Sequence, residues 1–214
     1  SGHVCALLDD RTVKCWGDNS FGQLGLGDTD ARGDNPAEMG DALPAVDLGP
    51  DGTPVQVSTG GDHSCVVFDD GRTKCWGKNN AGQLAVGDTV NRGTLPEHMG
   101  ANLPYTAITD VRLIRSGPLH NCAITTDSRS VVCWGEASNW RLGTRSSDDR
   151  GDEPGENGVG NTLPFNRTYV ALAVGGQHNC AIASNGSVYC WGGGNEGQLG
   201  NDDGDAEENP SAVR

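Results

Sequence analysis

Eight cysteines are the residues of this chain whose spacing most directly predicts covalent chemistry. They form four pairs separated by 10, 10, 11 and 10 positions: Cys5 and Cys15, Cys65 and Cys75, Cys122 and Cys133, Cys180 and Cys190. Residues ten apart in a hairpin with a short turn lie opposite each other, where Cα atoms approach to ~4.5 Å, within disulfide range. We therefore expect four structural disulfides and an oxidising location. No C-x-x-C motif occurs, which disfavours a zinc or thioredoxin-like centre.

Four histidines recur two residues before the first cysteine of each pair: His3, His63, His120 and His178. In a closed array they would form a ring of imidazoles, which are common metal ligands. The alternative is that each ring donates a hydrogen bond to a neighbouring backbone carbonyl and fixes a corner of its repeat. We expect this second role, because the histidine belongs to the repeated phrase itself.

Aspartate-rich loops offer the oxygen ligands that calcium prefers. The weak candidates are Asp28, Asp30, Asp202, Asp203 and Asp205. None of them matches the twelve-residue EF-hand spacing or a G-G-x-G-x-D repeat, and the second repeat has lost most of the acids. Apart from this calcium hypothesis, we expect no cofactor.

Four further residues are candidates for binding a partner: Trp140, Arg32, Arg92 and Arg150. Trp140 stands where the other repeats have the glycine of a G-Q-L phrase, so it either anchors a partner or fills the space of a variant turn. Each arginine precedes a glycine, and the two R-G-D tripeptides are expected to be coincidental because the second repeat reads R-G-T. No phosphate loop, H-E-x-x-H or G-x-S-x-G motif is present, so catalysis finds no support.

Composition and charge narrow the class of protein further. Hydrophobic residues make up only 35% of the chain, and 33 glycines and ten prolines favour many short strands joined by tight turns. The formal charge of −14 argues against nucleic-acid binding and favours basic partners or divalent cations. No apolar run approaches the ~18 residues that a membrane span requires.

All of these residues are positioned by one recurring hairpin. Cys65 to Gly77 reads C-V-V-F-D-D-G-R-T-K-C-W-G, two strand-like runs around an Asp-Asp-Gly turn. The tryptophans of the four copies, Trp16, Trp76, Trp134 and Trp191, recur at intervals of 60, 58 and 57 residues. Such a period indicates a propeller or solenoid. We place four units at residues 1–54, 55–108, 109–169 and 170–214 of a single array.

The combined phrase H-S-C-x-x-x-x-D-G-x-x-x-C-W-G-x-N-x-x-G-Q-L, written from the second unit, resembles the repeat of the regulator of chromosome condensation family, especially its bacterial branch with paired cysteines. The resemblance covers essentially the whole chain. It implies an all-β fold, a β-propeller with about four blades' worth of four-stranded repeats and one hairpin disulfide each. Complete members of that family most often have seven blades, and their rim loops bind proteins.

Between G-Q-L and the next histidine lies a polar segment rich in Gly and Pro, here called the insert. Three units have it, whereas the fourth passes quickly from Asn201 to Pro210. The tail Val213-Arg214 placed before Ser1-Gly2-His3 resembles the approach to His120, so the units look cyclically complete and cut between two strands. The ring closes on itself, the chain is an excerpt of a longer array, or copies join head to tail. We favour the last two.

We therefore predict a non-enzymatic extracytoplasmic scaffold for protein binding or self-assembly, located outside the cell, on its surface or in the periplasm. The alternative is a structural protomer of a head-to-tail ring or fibre, and an enzyme is the weakest hypothesis. The expected partner is a protein or copies of this chain, giving a homo-oligomer or filament, with no nucleic acid and no membrane span. The exchange wedge of nuclear family members matches no stretch of this sequence.

Overall fold

Short antiparallel sheets follow one another along the chain. The computed structural model describes residues 2–50, 52–127, 129–156, 167–202, 205 and 207–212. The twelve strands are β1 (His3–Leu7), β2 (Val13–Gly17), β3 (Pro54–Thr59), β4 (His63–Phe68), β5 (Thr73–Gly77), β6 (Val111–Ser116), β7 (His120–Thr125), β8 (Val131–Gly135), β9 (Tyr169–Val174), β10 (His178–Ala183), β11 (Val188–Gly192) and β12 (Glu207–Ala212). They form the sheets β1-β2, β3-β4-β5, β6-β7-β8 and β9-β10-β11-β12, numbered below as the first to fourth units.

Each predicted hairpin is present, and its register places the two cysteines directly opposite each other. All four disulfides form, with 4.1 Å between the Cα atoms of each pair. The third pair keeps this register although its cysteines are 11 residues apart, because the extra residue is absorbed in a longer turn. The all-β fold with one disulfide per hairpin is confirmed.

The outer strand of a blade is regular in one unit and irregular in the others. Strand β12 pairs with β11 as the fourth strand of the last sheet. In the first three units the insert follows the second hairpin arm and makes only isolated bridges, at Arg32, Arg92 and Arg150, with one more at Tyr105. Gly and Pro interrupt the ladder in these inserts, which fold instead into short 3-10 turns at Gly40–Ala42, Pro96–His98 and Gly100–Asn102.

Three hydrophobic cores lie between the four sheets, one for each pair of consecutive units. Trp76, Trp134 and Trp191 are fully buried in these cores, whereas Trp16 is only partly buried. The first strands of successive sheets contact one another, and the Gln56 side chain of β3 bonds both the carbonyl oxygen and the amide of Ile114 in β6. The sheets therefore pack face to face, as blades do. Within the described residues, no helix is long and apolar enough to cross a membrane.

Candidate functional site

The loops after each Trp-Gly form one rim of the array, and we call them rim turns: residues 18–27, 78–87, 136–145 and 193–202. In three of them a glycine lies in the left-handed region, Gly22 at φ +79°, Gly82 at φ +71° and Gly197 at φ +74°. The glutamine that follows each glycine accepts a hydrogen bond from a backbone amide two residues before it. The G-Q-L phrase therefore specifies a tight turn whose backbone carbonyl at Gln faces the next unit.

Consecutive units are joined through that carbonyl. The indole Nε1–H of the next unit's tryptophan donates to it, from Trp76 to Gln23 at 2.9 Å, Trp134 to Gln83 at 3.0 Å and Trp191 to Arg141 at 3.0 Å. A side chain of the next unit donates to the same oxygen: Ser64, Asn121 or Asn179 at 2.9, 2.9 and 2.6 Å. Each joint thus has two donors on one acceptor.

The repeated histidines complete this joint. Nε2 of His3, His63 and His120 lies 2.8, 2.9 and 2.8 Å from the side-chain oxygen of Ser64, Asn121 and Asn179. The expected partner, a backbone carbonyl nearby, is therefore wrong: the histidine bonds a side chain of the following unit. A single sequence gives no sign of which unit the ring faces, although the polar residue after each later histidine is visible in it.

Burial fixes the charge state of two of these rings. It lowers the pKa of His63 to about 4, with the hydrogen bond to Asn121 opposing the shift, and it lowers the pKa of His120 to about 4 against the bond to Asn179. Both imidazoles are neutral at physiological pH, and each donates its Nε2 proton to the asparagine oxygen. The Asn amide is then free to donate to the rim-turn carbonyl.

The rim-turn glycines are also seats for the next unit's insert. A Cβ on Gly22 would lie 2.5 Å from the carbonyl carbon of Gly93, and one on Gly82 would lie 2.6 Å from that of Gly151. At the end of each of these turns a backbone amide, from Gly27 or Gly87, donates to the oxygen of the same insert glycine. The Arg-Gly step of an insert is therefore packed on the turn of the preceding unit.

Two of the predicted partner-binding arginines hold their own inserts together. Arg32 lies 2.6 Å from the Asp28 carboxylate, and Arg92 bonds both oxygens of Asp88 at 2.9 and 2.7 Å. Asn19 donates to Asp28, and Asn79 donates to Asp88 in the same way. In the third unit these partners are replaced, and Arg150 meets Glu156 only at 3.6 Å. The role of the three arginines in partner binding stays a prediction.

The third rim turn departs from the others. Asn139 and Trp140 both adopt left-handed backbone, at φ +55° and +58°, in place of the tight glycine turn. Arg141 replaces Gln, is 3% exposed, and pairs with Glu136 at 2.7 Å while bonding Ser138. Burial of the guanidinium lowers its pKa, with Glu136 opposing the shift.

Trp140 fits because no insert is seated on this turn. Gly22 and Gly82 have the next insert against them, whereas the fourth unit lacks the insert that would cover the third turn. Strand β12 runs beside Ser138–Trp140, and the Trp140 side chain remains partly exposed. Left-handed backbone costs a non-glycine residue about 1–2 kcal/mol. A large aromatic residue is therefore held under local strain on the rim.

An acidic recess adjoins this turn. Its volume is about 500 Å³, and it is lined by Ser147, Asp148, Asp149, Asp152, Glu153 and Glu156. The amide of Ala137, which precedes Ser138–Trp140, donates to the Asp149 carboxylate at 2.9 Å, so recess and turn are contiguous. Burial raises the pKa of Asp149 and of Glu156. The recess is strongly negative at neutral pH.

The calcium candidates do not converge in the part of the chain that the structure describes. Asp28 is engaged by Arg32 and Asn19, and the backbone oxygen of Asp30 accepts from the same two residues. Asp202 has left-handed backbone at φ +62°, Asp205 follows it, and Asp203 lies outside the described residues. No group of three or more His, Cys, Asp or Glu side chains among the described residues is close enough to hold a metal ion. Calcium binding stays an untested prediction.

Comparison with protein families identifies the repeat. Two models, both described as the regulator of chromosome condensation (RCC1) repeat, match the chain, one at residues 1–23, 55–83 and 169–198 and the other at 13–67 and 185–214. Together the matches cover residues 1–83 and 169–214, which is more than half of the chain.

Curated relatives are much longer than this chain. The human probable E3 ubiquitin-protein ligase HERC3 is 34% identical over 199 residues, which are 92% of this chain and 17% of HERC3. HERC6, also human, is 29% identical over 204 residues, which are 92% of this chain and 18% of HERC6. The chain therefore spans less than a fifth of the length of these relatives.

Solved structures share the fold. Prp20p from Saccharomyces cerevisiae superposes with a TM-score of 0.71 at 21% identity, over 100% of this chain and 49% of Prp20p. Human WBSCR16 superposes with a TM-score of 0.57 at 17% identity, over 100% of this chain and 65% of WBSCR16.

Proposed function

Because this chain belongs to the regulator of chromosome condensation (RCC1) repeat family, we propose that it is a non-enzymatic protein-binding scaffold that works outside the cytoplasm. The third rim turn carries the partner contact, with Trp140 as its anchor. One observation carries the proposal: this turn alone among the four replaces its glycine by a tryptophan, partly exposed and held in left-handed backbone.

Strain at this position is a sign of function, because a glycine would form the turn at lower cost. Sparsely populated backbone conformations persist where the surroundings determine them, and they are enriched at ligand-binding sites. A partly exposed tryptophan is also the residue type that most often carries binding energy at an interface. Arg141 and Glu136 brace the turn from below, so that the indole is presented on a rigid base.

The acidic recess beside this turn indicates the chemistry of the partner. Four or more carboxylates around one opening favour a basic segment, such as Lys or Arg side chains placed next to an apolar residue that meets Trp140. A net charge of −14 attracts the same class of partner at long range. The yeast relative Prp20p has been studied for its binding to Gsp1p and histones, and yeast Prp20 has been crystallised with Kap60. These proteins support protein binding as the general use of the fold.

The compartment rests on the disulfides. All eight cysteines are paired within their own hairpins, and pairs of this kind persist in oxidising environments. Intact mass after alkylation without reductant tests this point on material purified from the source. We expect no alkylated thiol before reduction and eight after it, whereas eight alkylated thiols before reduction would place the protein in a reducing compartment.

Partner binding is tested with the full chain immobilised against purified secreted and surface proteins of the source organism. A genuine partner binds wild type and Val90→Ala equally, and it binds Trp140→Ala at least about tenfold more weakly. Val90 is the matched control, because it is 57% exposed on the insert of the second unit. Unfolding curves for both variants establish that they fold. A partner that binds Trp140→Ala as tightly as wild type contradicts the site, and robust turnover in a hydrolase screen contradicts the scaffold role.

A further inference from the structure

The two ends of the array carry complementary halves of the joint that links consecutive units. A complete joint has three parts: a tryptophan on the rim-turn carbonyl, an Arg-Gly insert seated on the rim turn, and a latch in which a histidine bonds the Ser or Asn of the next unit. The first–second and second–third joints have all three. The fourth unit can offer the acceptor half of such a joint, and the first unit can offer the donor half.

The acceptor half is open on the fourth unit. Its turn keeps the Gly197-Gln198-Leu199-Gly200 phrase, with the same backbone bonds between turn residues as the first turn. A Cβ on Gly197 would meet no described atom within 4 Å, in contrast to Gly22 and Gly82. Asp202 has the left-handed backbone of Gly27 and Gly87, whose amides hold the insert in the complete joints.

The donor half is open on the first unit. Trp16 is only partly buried, and its indole N–H has no acceptor among the described residues, whereas its three counterparts all have one. Gly33, the insert glycine, is approached only by Met39 and Trp16 of its own unit. By contrast, Gly93 and Gly151 are seated on the turns of the preceding units.

The latch is the part that does not match. The residue after the first histidine is Val4, which is 50% exposed and stands where Ser64, Asn121 and Asn179 stand in the later units. Valine can neither accept from the His178 ring nor donate to the Gln198 carbonyl. A joint between a fourth unit and a first unit would therefore have the tryptophan and the insert seat but no latch.

We propose that the fourth rim turn, Gly197 to Asp202, is a seat for the Arg32-Gly33 insert and Trp16 of a second copy of this chain, and that Val4 keeps this joint weak and reversible. We assign the occupant to a second copy because the whole chain superposes on only 49% of Prp20p and so spans an arc of a ring. This inference is independent of the Trp140 surface, which lies on a different turn.

Variants at Gly197 and Trp140 test the seat. The third unit already shows that a tryptophan is accommodated on a rim turn with no insert seated on it, so Gly197→Trp blocks the seat and keeps the fold. Trp140→Gly is the matched control, because it opens a turn that no insert reaches. Val4→Asn restores the latch, and two added hydrogen bonds are expected to tighten self-association by about tenfold or more.

Sedimentation velocity of the 214-residue chain over a wide concentration range gives the readout. We expect a weight-average mass that rises with concentration, rises more steeply for Val4→Asn and for added salt, which screens the −14 charge, and stays monomeric for Gly197→Trp in both backgrounds. Association that appears only with Val4→Asn and is abolished by Gly197→Trp also supports the seat. A monomeric mass for both wild type and Val4→Asn overturns the proposal, and so does association that Gly197→Trp leaves unchanged.

Discussion

The second and third rim turns occupy equivalent places in the array and differ in what lies against them. Gly82 has the third insert packed on it, so that a single added carbon would collide with the backbone of Gly151. Trp140 has no insert to meet, and a residue with a full indole is accommodated at the same left-handed position. The residue type in a rim turn is thus decided by the following unit, and a turn that is not covered becomes available for other contacts.

The largest effect is expected from adding a side chain under a seated insert. Gly82→Ala combines left-handed strain with a backbone collision, and we expect it to lower the free energy of unfolding by about 3–5 kcal/mol. Gly197→Ala has the same φ but open space around it, and we expect a loss of about 1 kcal/mol. Chemical denaturation of both variants beside wild type measures the difference. Equal losses would mean that the seat contributes nothing.

A smaller effect that both joints should share comes from the buried histidines. Burial lowers the pKa of His63 and of His120 from 6.5 to about 4, so the unfolded chain binds more protons than the folded chain between these values. Stability is therefore full above pH 6.5 and falls as the pH drops towards 4, by up to about 3 kcal/mol per histidine.

Replacement by glutamine isolates this contribution, because the amide keeps a donor and does not titrate. We expect His63→Gln and His120→Gln each to flatten the fall in unfolding free energy between pH 6.5 and 4, and by similar amounts, since both joints contain the same latch. Denaturation at several pH values provides the measurement. An unchanged pH profile in both variants would show that the rings are already accessible to protons in the folded chain.

The hairpins were predictable from sequence, because turn residues and cysteine spacing act within a dozen residues. Register, disulfides and the recurrent tryptophan follow from that local pattern. The joints were not predictable to the same degree: which carbonyl receives Trp134, and which side chain receives His63, depends on residues more than 50 positions away. Trp140 was visible as an exception in the sequence, but its cause, the insert missing from the next unit, required the packing of one unit on another.

The smallest expected effect distinguishes the inserts themselves. Arg92 makes a two-pronged bond to Asp88 with most of its side chain covered, whereas Arg150 meets Glu156 at 3.6 Å. We expect Arg92→Ala to cost about 1 kcal/mol and Arg150→Ala less than about 0.5 kcal/mol. Thermal unfolding of the two variants at low ionic strength is the appropriate comparison. A larger loss for Arg150→Ala would show that the third insert is held in another way than its ion pair.

Site-specific photo-crosslinking from the third rim turn tests the central claim, that an uncovered turn carries the partner contact. A benzophenone amino acid replaces Trp140 in one chain and Val90 in a matched chain, and each is exposed to secreted and surface proteins of the source organism. We predict one crosslinked protein from position 140 and none from position 90, suppressed by excess wild type but not by excess Trp140→Ala. No product at position 140, or a product that excess Trp140→Ala suppresses as well as wild type does, would contradict the account.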